Sequence, residues 1–97
     1  MSTVDLLHEW QSQGDFLPFK DHRIYTQIRG RGKPVLVLHG FPTASFDYAL
    51  ITPLLEENYQ LFLFDFLGYG FSDKPPKHPY SLFEQADIAE AVARHYD

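Results

Sequence analysis

The apolar run Val35-Leu36-Val37-Leu38 leads directly into His39-Gly40-Phe41-Pro42. A strand that is apolar at every position, rather than at alternate ones, suits a parallel sheet covered on both faces. Parallel neighbours need a crossover of a dozen or more residues, usually helical. The segment from Gln60 to Asp65 repeats the apolar pattern, and the stretch between the two fits such a crossover. Ala44 to Leu50 and Pro53 to Asn58 read as a helix in two pieces, with Thr52 as the second N-cap and Pro53 at its first helical position. Strand, helix, strand is the core unit, and its crossover is expected to be right-handed.

The flanks extend that unit. Ser2 or Thr3 can cap a short helix over Val4 to Gln11, with Leu6, Leu7 and Trp10 on one face and Gly14 as its stop, expected as a surface flap. Phe16 to Lys20 and Arg23 to Ile28 have strand-like content around Asp21-His22 and read as an antiparallel pair. Ser81-Leu82-Phe83-Glu84 is a capping box, and Leu82, Ala86, Ala89, Ala93 and Tyr96 recur at helical spacing, so that stripe is expected on the sheet. Lys74 to Pro79 forms a rigid entry loop. The fold class is α/β, a single domain with a leading helix (1–14) and a sheet-and-helix body (15–97). Its sheet is incomplete at residue 97, because the alternation of strand and helix leads one to expect another strand.

Composition narrows the function. A net charge of −5 argues against a nucleic-acid surface, since the basic cluster Arg29, Arg31 and Lys33 alternates with glycines in a loop. The sequence has no cysteine, which excludes disulfides and thiolate metal sites and fits a reducing, cytoplasmic setting. No basic leader precedes an apolar core, and no run reaches membrane-spanning length. His8, His22, His39, His78 and His95 form no short-spaced ligand pair, so no metal or other cofactor is expected.

Two turns could carry chemistry. His39-Gly40-Phe41-Pro42 stands at the carboxyl end of a parallel strand, where open α/β sheets bind ligands. Gly40 is expected to adopt a turn that a side chain would resist, and the Phe41 backbone N–H can face a developing oxyanion while Pro42 donates nothing. The ring of Phe41 and Pro42 would line the pocket, and a cis Phe41-Pro42 bond would hold the turn rigid. The second turn, Asp65-Phe66-Leu67-Gly68-Tyr69-Gly70-Phe71-Ser72, follows the next strand. Asp65 is expected to accept backbone N–H groups of its own turn, Gly68 and Gly70 to take positive φ, and Ser72 to cap the exit. A dinucleotide fingerprint needs G-x-G-x-x-G opening a helix, with an acidic residue downstream, and neither holds here. No G-x-S-x-G nucleophile elbow occurs, and Ser45, Ser72 and Ser81 have capping or turn roles.

LVLHGFPTASFDY, LFLFDFLGYGFSDKP and YSLFEQADIAEAV resemble the N-terminal third of the α/β-hydrolase superfamily, in its epoxide-hydrolase and haloalkane-dehalogenase branch. The resemblance implies a larger, mostly parallel sheet, with an Asp or Ser nucleophile, a His–acid pair and a lid beyond Asp97. It implies that Phe41 is an oxyanion-hole donor acting through its backbone, that His39 and Gly40 support it, and that Asp65, Gly68, Gly70 and Ser72 build the neighbouring turn. Haloalkane dehalogenases typically carry asparagine where Phe41 stands, so the resemblance points toward a small-molecule epoxide or ester, cleaved through a covalent ester intermediate. The chain alone would then be inactive. The competing expectation is a non-catalytic homologue that binds a partner, or itself, through the unpaired edge of Val35–Leu38.

Overall fold

The computed structural model describes residues 2–40 and 43–96. Helix α1 (Thr3–Ser12) precedes strands β1 (Asp15–Phe19), β2 (His22–Gly30) and β3 (Lys33–Val37). A 3₁₀ turn (Ser45–Tyr48) and short helix α2 (Thr52–Leu55) lead to β4 (Tyr59–Phe64) and then to helix α3 (Leu82–His95). The sheet order is β1-β2-β4-β3, with β1–β2 and β2–β4 antiparallel and β3–β4 parallel. The expected α/β arrangement is therefore present, with β3 at the edge of an incomplete sheet.

Alternation along the strands divides the core. Leu17, Ile24 and Phe64 face α3 and pack with Leu67, Ile88 and Val92. Tyr25, Leu61 and Leu63 point the other way and pack with Trp10, joined by Val35, Val37 and Phe46. Successive strand residues face opposite sides of a sheet, so Ile24 and Tyr25 serve different layers.

Several local expectations are corrected. The hairpin loop is Lys20-Asp21, one residue earlier than Asp21-His22: His22 pairs with Phe19, and Lys20 takes the positive φ of 52° that tight hairpins demand. Helix α1 is no flap. A reciprocal box between Ser2 and Asp5 opens it, Trp10 is buried, and the Trp10 carbonyl accepts both the Tyr25 hydroxyl and the Gln27 amide. Burial pushes the Tyr25 phenol up to about 12, with the Asp65 carboxylate adding to the effect and the Gln27 hydrogen bond and Arg29 opposing it. The first crossover piece is a 3₁₀ turn, and Thr52 opens α2 instead of capping it, its hydroxyl donating to the Ala49 carbonyl.

At α3 only half of the capping box forms. The Glu84 N–H donates to Ser81 Oγ at 3.1 Å, but the Glu84 carboxylate turns to His78 Nε2 at 2.5 Å and Lys20 Nζ at 3.7 Å. The buried face is Gln85, Ile88 and Val92, while Leu82 is 86% exposed. The stripe Leu82-Ala86-Ala89-Ala93-Tyr96 is thus displaced from the interface, with Ala89 and Tyr96 at its margin. Branched aliphatics bury more apolar area than alanine, so they choose the face. Because α3 lies over β1 and β4, Leu36 stays 38% and Leu38 49% exposed. The expectation that Val35–Leu38 is covered on both faces fails for that reason. Among the described residues, no helix is long and apolar enough to cross a membrane.

Ile88→Ala and Val92→Ala should each cost about 2–4 kcal/mol in urea unfolding, whereas Ala93→Ser should stay within about 0.5 kcal/mol. Equal losses at positions 88 and 93 would contradict this helix orientation.

Candidate active site

The carboxyl ends of β3 and β4 are tied together by two side chains, each reaching into the other strand's loop. From the β3 end, His39 Nε2 accepts the Phe66 N–H at 2.9 Å, while its Nδ1 lies 2.8 Å from the Gly40 carbonyl oxygen. Because Nε2 accepts, Nδ1 must carry the proton and donate to that carbonyl. From the β4 end, the Asp65 carboxylate accepts the Ser45 N–H on Oδ1 at 2.7 Å and the Phe71 N–H on Oδ2 at 2.9 Å. His39 and Asp65 are both buried. Both ring nitrogens of His39 are thus occupied by backbone, which suits a structural role.

The loop after β4 is knitted residue by residue. Ser72 Oγ donates to the Asp65 carbonyl and accepts the Tyr25 N–H at 2.9 Å. Asp73 continues the tie, accepting the Arg23 N–H on its carboxylate at 2.7 Å. Gly68 (φ +92°) and Gly70 (φ +55°) take the positive φ expected of them. A Cβ at Gly70 would stand 2.2 Å from Asp65 Oδ2, and one at Gly68 would stand 2.8 Å from Tyr80 Cε1. Glycine is therefore required twice over, by conformation and by space. Gln85, from the buried face of α3, grips the peptide of Leu67: its Oε1 accepts the Leu67 N–H at 3.1 Å and its Nε2 donates to the Leu67 carbonyl at 3.0 Å.

Gly40 differs from expectation. Its φ is not positive, and among the described residues a Cβ there would meet nothing closer than Thr43 Oγ1 at 3.9 Å. Its carbonyl is the busier half, accepting the Thr43 N–H at 3.0 Å and the Thr43 hydroxyl at 2.8 Å besides the His39 ring. Phe41 and Pro42, with the oxyanion donor, the pocket lining and the cis bond assigned to them, lie outside the described residues. Ser72 joins β2 to the loop rather than ending it.

An open, mostly apolar recess of about 430 Å³ lies beside these turns, lined by Leu38, His39, Gly40, Phe66, Tyr80 and Ala86 among others. The rings of Phe66 and Tyr69 stand 4.5 Å and 5.7 Å from the His39 ring. Among the described residues, no group of three His, Cys, Asp or Glu could hold a metal ion. Sequence reasoning missed Gln85, Ser45 and Thr43. Gln85 left a signal as a polar residue in register with Ile88 and Val92 on one helical face, and Thr43 left one as a turn residue three past Gly40.

A family model described as the alpha/beta hydrolase fold matches residues 33–97. The human mesoderm-specific transcript homolog protein is 47% identical over 94 residues, covering 92% of this chain and 28% of that protein. The chain therefore spans less than a third of this relative's length. An alpha/beta hydrolase fold protein from Burkholderia ambifaria superposes with a TM-score of 0.79 at 33% identity, over 84% of this chain and 30% of the other. The Y109W mutant of haloalkane dehalogenase DatA from Agrobacterium tumefaciens C58 gives 0.77 at 32%, over 87% and 29%.

Asp65→Asn would turn an amide donor toward a backbone N–H, and should cost about 1–3 kcal/mol by chemical denaturation. Gly70→Ala should cost at least about 2 kcal/mol; a loss below about 0.5 kcal/mol would contradict the contact. The Arg23 N–H holds the Asp73 carboxyl below its usual value, and the His78 hydrogen bond does the same for Glu84. Depressed carboxyls stabilise above the unfolded value of about 4 and lose that contribution as pH falls through their folded values. Urea midpoints should therefore drop below about pH 4, and less steeply in the D73N/E84Q double variant.

Proposed function

The chain belongs to the α/β-hydrolase fold family, and from that premise we propose that it supplies the oxyanion-binding strand and turn of a hydrolase. The substrate is a small apolar epoxide or ester, opened through a covalent ester intermediate. One observation carries the reading: the apolar recess at the carboxyl ends of β3 and β4 adjoins a turn whose carbonyl and neighbouring loop are locked by hydrogen bonds. Oxyanion stabilisation depends on donors that need no reorganisation when charge develops. In this reading the Phe41 backbone N–H is one donor, the Phe41 ring and Pro42 line the pocket, and His39 and Gly40 support the turn. Asp65, Gly68, Gly70 and Ser72 frame it. The nucleophile, the acid and the general-base histidine come from sequence beyond residue 97: the nucleophile attacks, the histidine activates water, and the hole holds the tetrahedral oxygen.

A second reading is favoured by the edge of β3, which among the described residues pairs with β4 alone and leaves Leu36 and Leu38 half-exposed. A non-catalytic homologue would use that edge to bind a partner or a second copy, since unpaired strand edges template association.

The readings separate in one experiment. Hydrolysis of p-nitrophenyl acetate and styrene oxide is followed with the 97-residue chain and with the product of the longer reading frame that contains it. The hydrolase reading expects background rates from the short chain and turnover from the long one. A folded long product that turns over neither substrate, together with a short chain that elutes as a discrete dimer, would transfer the assignment to the binding module.

A further inference from the structure

A second recess lies on the Trp10 side of the sheet, between α1 and the crossover. It encloses about 510 Å³ and is lined by Leu6, Trp10, Phe46, Leu50 and Pro53 among others. Thr3, Leu6, Trp10 and Gln13 line it at spacings of three or four, so a single face of α1 forms one wall. The inner side is fixed in place. Trp10 Nε1 donates to Ser45 Oγ at 3.2 Å, the Trp10 and Phe46 rings meet edge to face at 6.1 Å, and the Arg29 guanidinium stands 5.5 Å from the Trp10 ring centroid. The rim is apolar yet open to water: Leu50 is 93% and Leu54 75% exposed, and Val4, Leu6 and Ile51 are exposed with them. Single exposed leucines are ordinary, but a group of them around a formed recess marks an interaction surface.

The charge around this recess has one sign. Residues 2–14 and 43–58, which build α1 and the crossover, contain Asp5, Glu9, Asp47, Glu56 and Glu57 and no lysine or arginine. Glu9 and Asp47 line the recess itself. Arg29, from β2, is its one lining lysine or arginine among the described residues, and it is engaged: Nε meets Glu56 Oε2 at 2.9 Å and Nη1 donates to Gln13 Oε1 at 2.8 Å. We propose that the recess docks a cationic amphipathic helix of a partner protein, with apolar residues seated against Trp10 and Leu50 and lysines or arginines facing Glu9 and Asp47. Helices laid into grooves are anchored by apolar residues at i, i+3, i+4 and i+7, and opposite charge on the rim steers their approach and fixes their register. The sign of the charge disfavours two other occupants. An anionic lipid surface attracts cationic segments and is repelled by an acidic rim. A two-fold contact between copies sets the same patch against itself, bringing Glu9 and Asp47 toward their own equivalents. The site shares no lining residue with the recess at the strand ends and does not depend on the hydrolase reading.

The test titrates the product of the longer reading frame that contains this chain into fluorescein-labelled model helices and follows anisotropy. One helix is built of leucine and lysine, a second keeps the leucine face and replaces lysine by glutamate, and a third keeps lysine and replaces leucine by alanine. The leucine–lysine helix should bind at least about tenfold more tightly than either control, and more weakly as salt rises. Leu50→Ser and the D47K/E9K double variant alter exposed positions, so urea midpoints should hold while affinity for that helix falls by about tenfold or more in each. Equal binding of the leucine–lysine and alanine–lysine helices would reduce the effect to net charge and overturn the proposal. So would binding that survives both variants, or a longer product that binds no helix. If the 97-residue chain binds where the longer product does not, the recess is covered by the protein's own sequence and the partner is refuted. Dimerisation abolished by Leu50→Ser, or sedimentation with phosphatidylserine vesicles abolished by it, in a protein that ignores the leucine–lysine helix would assign the surface to a second copy or to a membrane instead.

Discussion

Everything at the carboxyl end of this sheet depends on how one buried carboxylate is satisfied. Asp65 is 1% exposed, and an ionised group taken out of water is costly unless its oxygens are bonded. Here each oxygen accepts a backbone N–H from a different loop, and hydrogen bonds to a charged group contribute about 1.5–3 kcal/mol each. Satisfying the charge and joining the loops are therefore one act. The same carboxylate dictates Gly70, because a methyl group there would overlap it. The Asp65 carbonyl meanwhile takes the hydroxyl of Ser72, which accepts the Tyr25 N–H and extends the tie into the centre of the sheet.

His39 complements this arrangement with the opposite polarity. Asp65 only accepts, whereas His39 accepts at one nitrogen and donates at the other, so the pair serves both the N–H and C=O groups left at two adjacent strand ends. Backbone groups buried without partners would each carry a desolvation penalty of about 1–3 kcal/mol, and loops are usually kept at the surface to avoid it. These two loops can approach one another closely because side chains from the strands they leave supply the missing partners. The recess beside them is mostly apolar, the His39 and Gln85 side chains in its wall being bonded to backbone groups.

Most of the architecture was legible because strand and turn signals are local. The apolar runs and the glycine spacing of the second turn all act over a few residues, and the strands form around them, although β2 runs on through Gly30 and β3 begins at Lys33. The family resemblance was legible for a related reason, residing in two turns whose residue types are demanded by geometry. What was hidden depends on distance. No spacing rule connects Gln85 to the backbone of Leu67, 18 residues away, as that pairing arises only once the strands are in place. The face of α3 was misread because alanine and valine count equally as apolar in a periodic pattern. Buried area does not weigh them equally, and it decided in favour of Ile88 and Val92.

The displaced stripe bears on how the two halves of the structure differ. On the Trp10 side, Tyr25, Leu61 and Leu63 are enclosed by α1, the 3₁₀ turn and α2, while on the α3 side the cover stops short of β3. Leu36, Leu38, Ala86 and Ala93 are left facing outward there, on the side where β3 has its free edge. Alanines and leucines on a solvated face contribute nothing to solubility and can invite association. The polar network, by contrast, closes within the described residues without help from that face. The turns are thus held in place by internal hydrogen bonds that do not depend on the half-exposed apolar residues of the β3 edge.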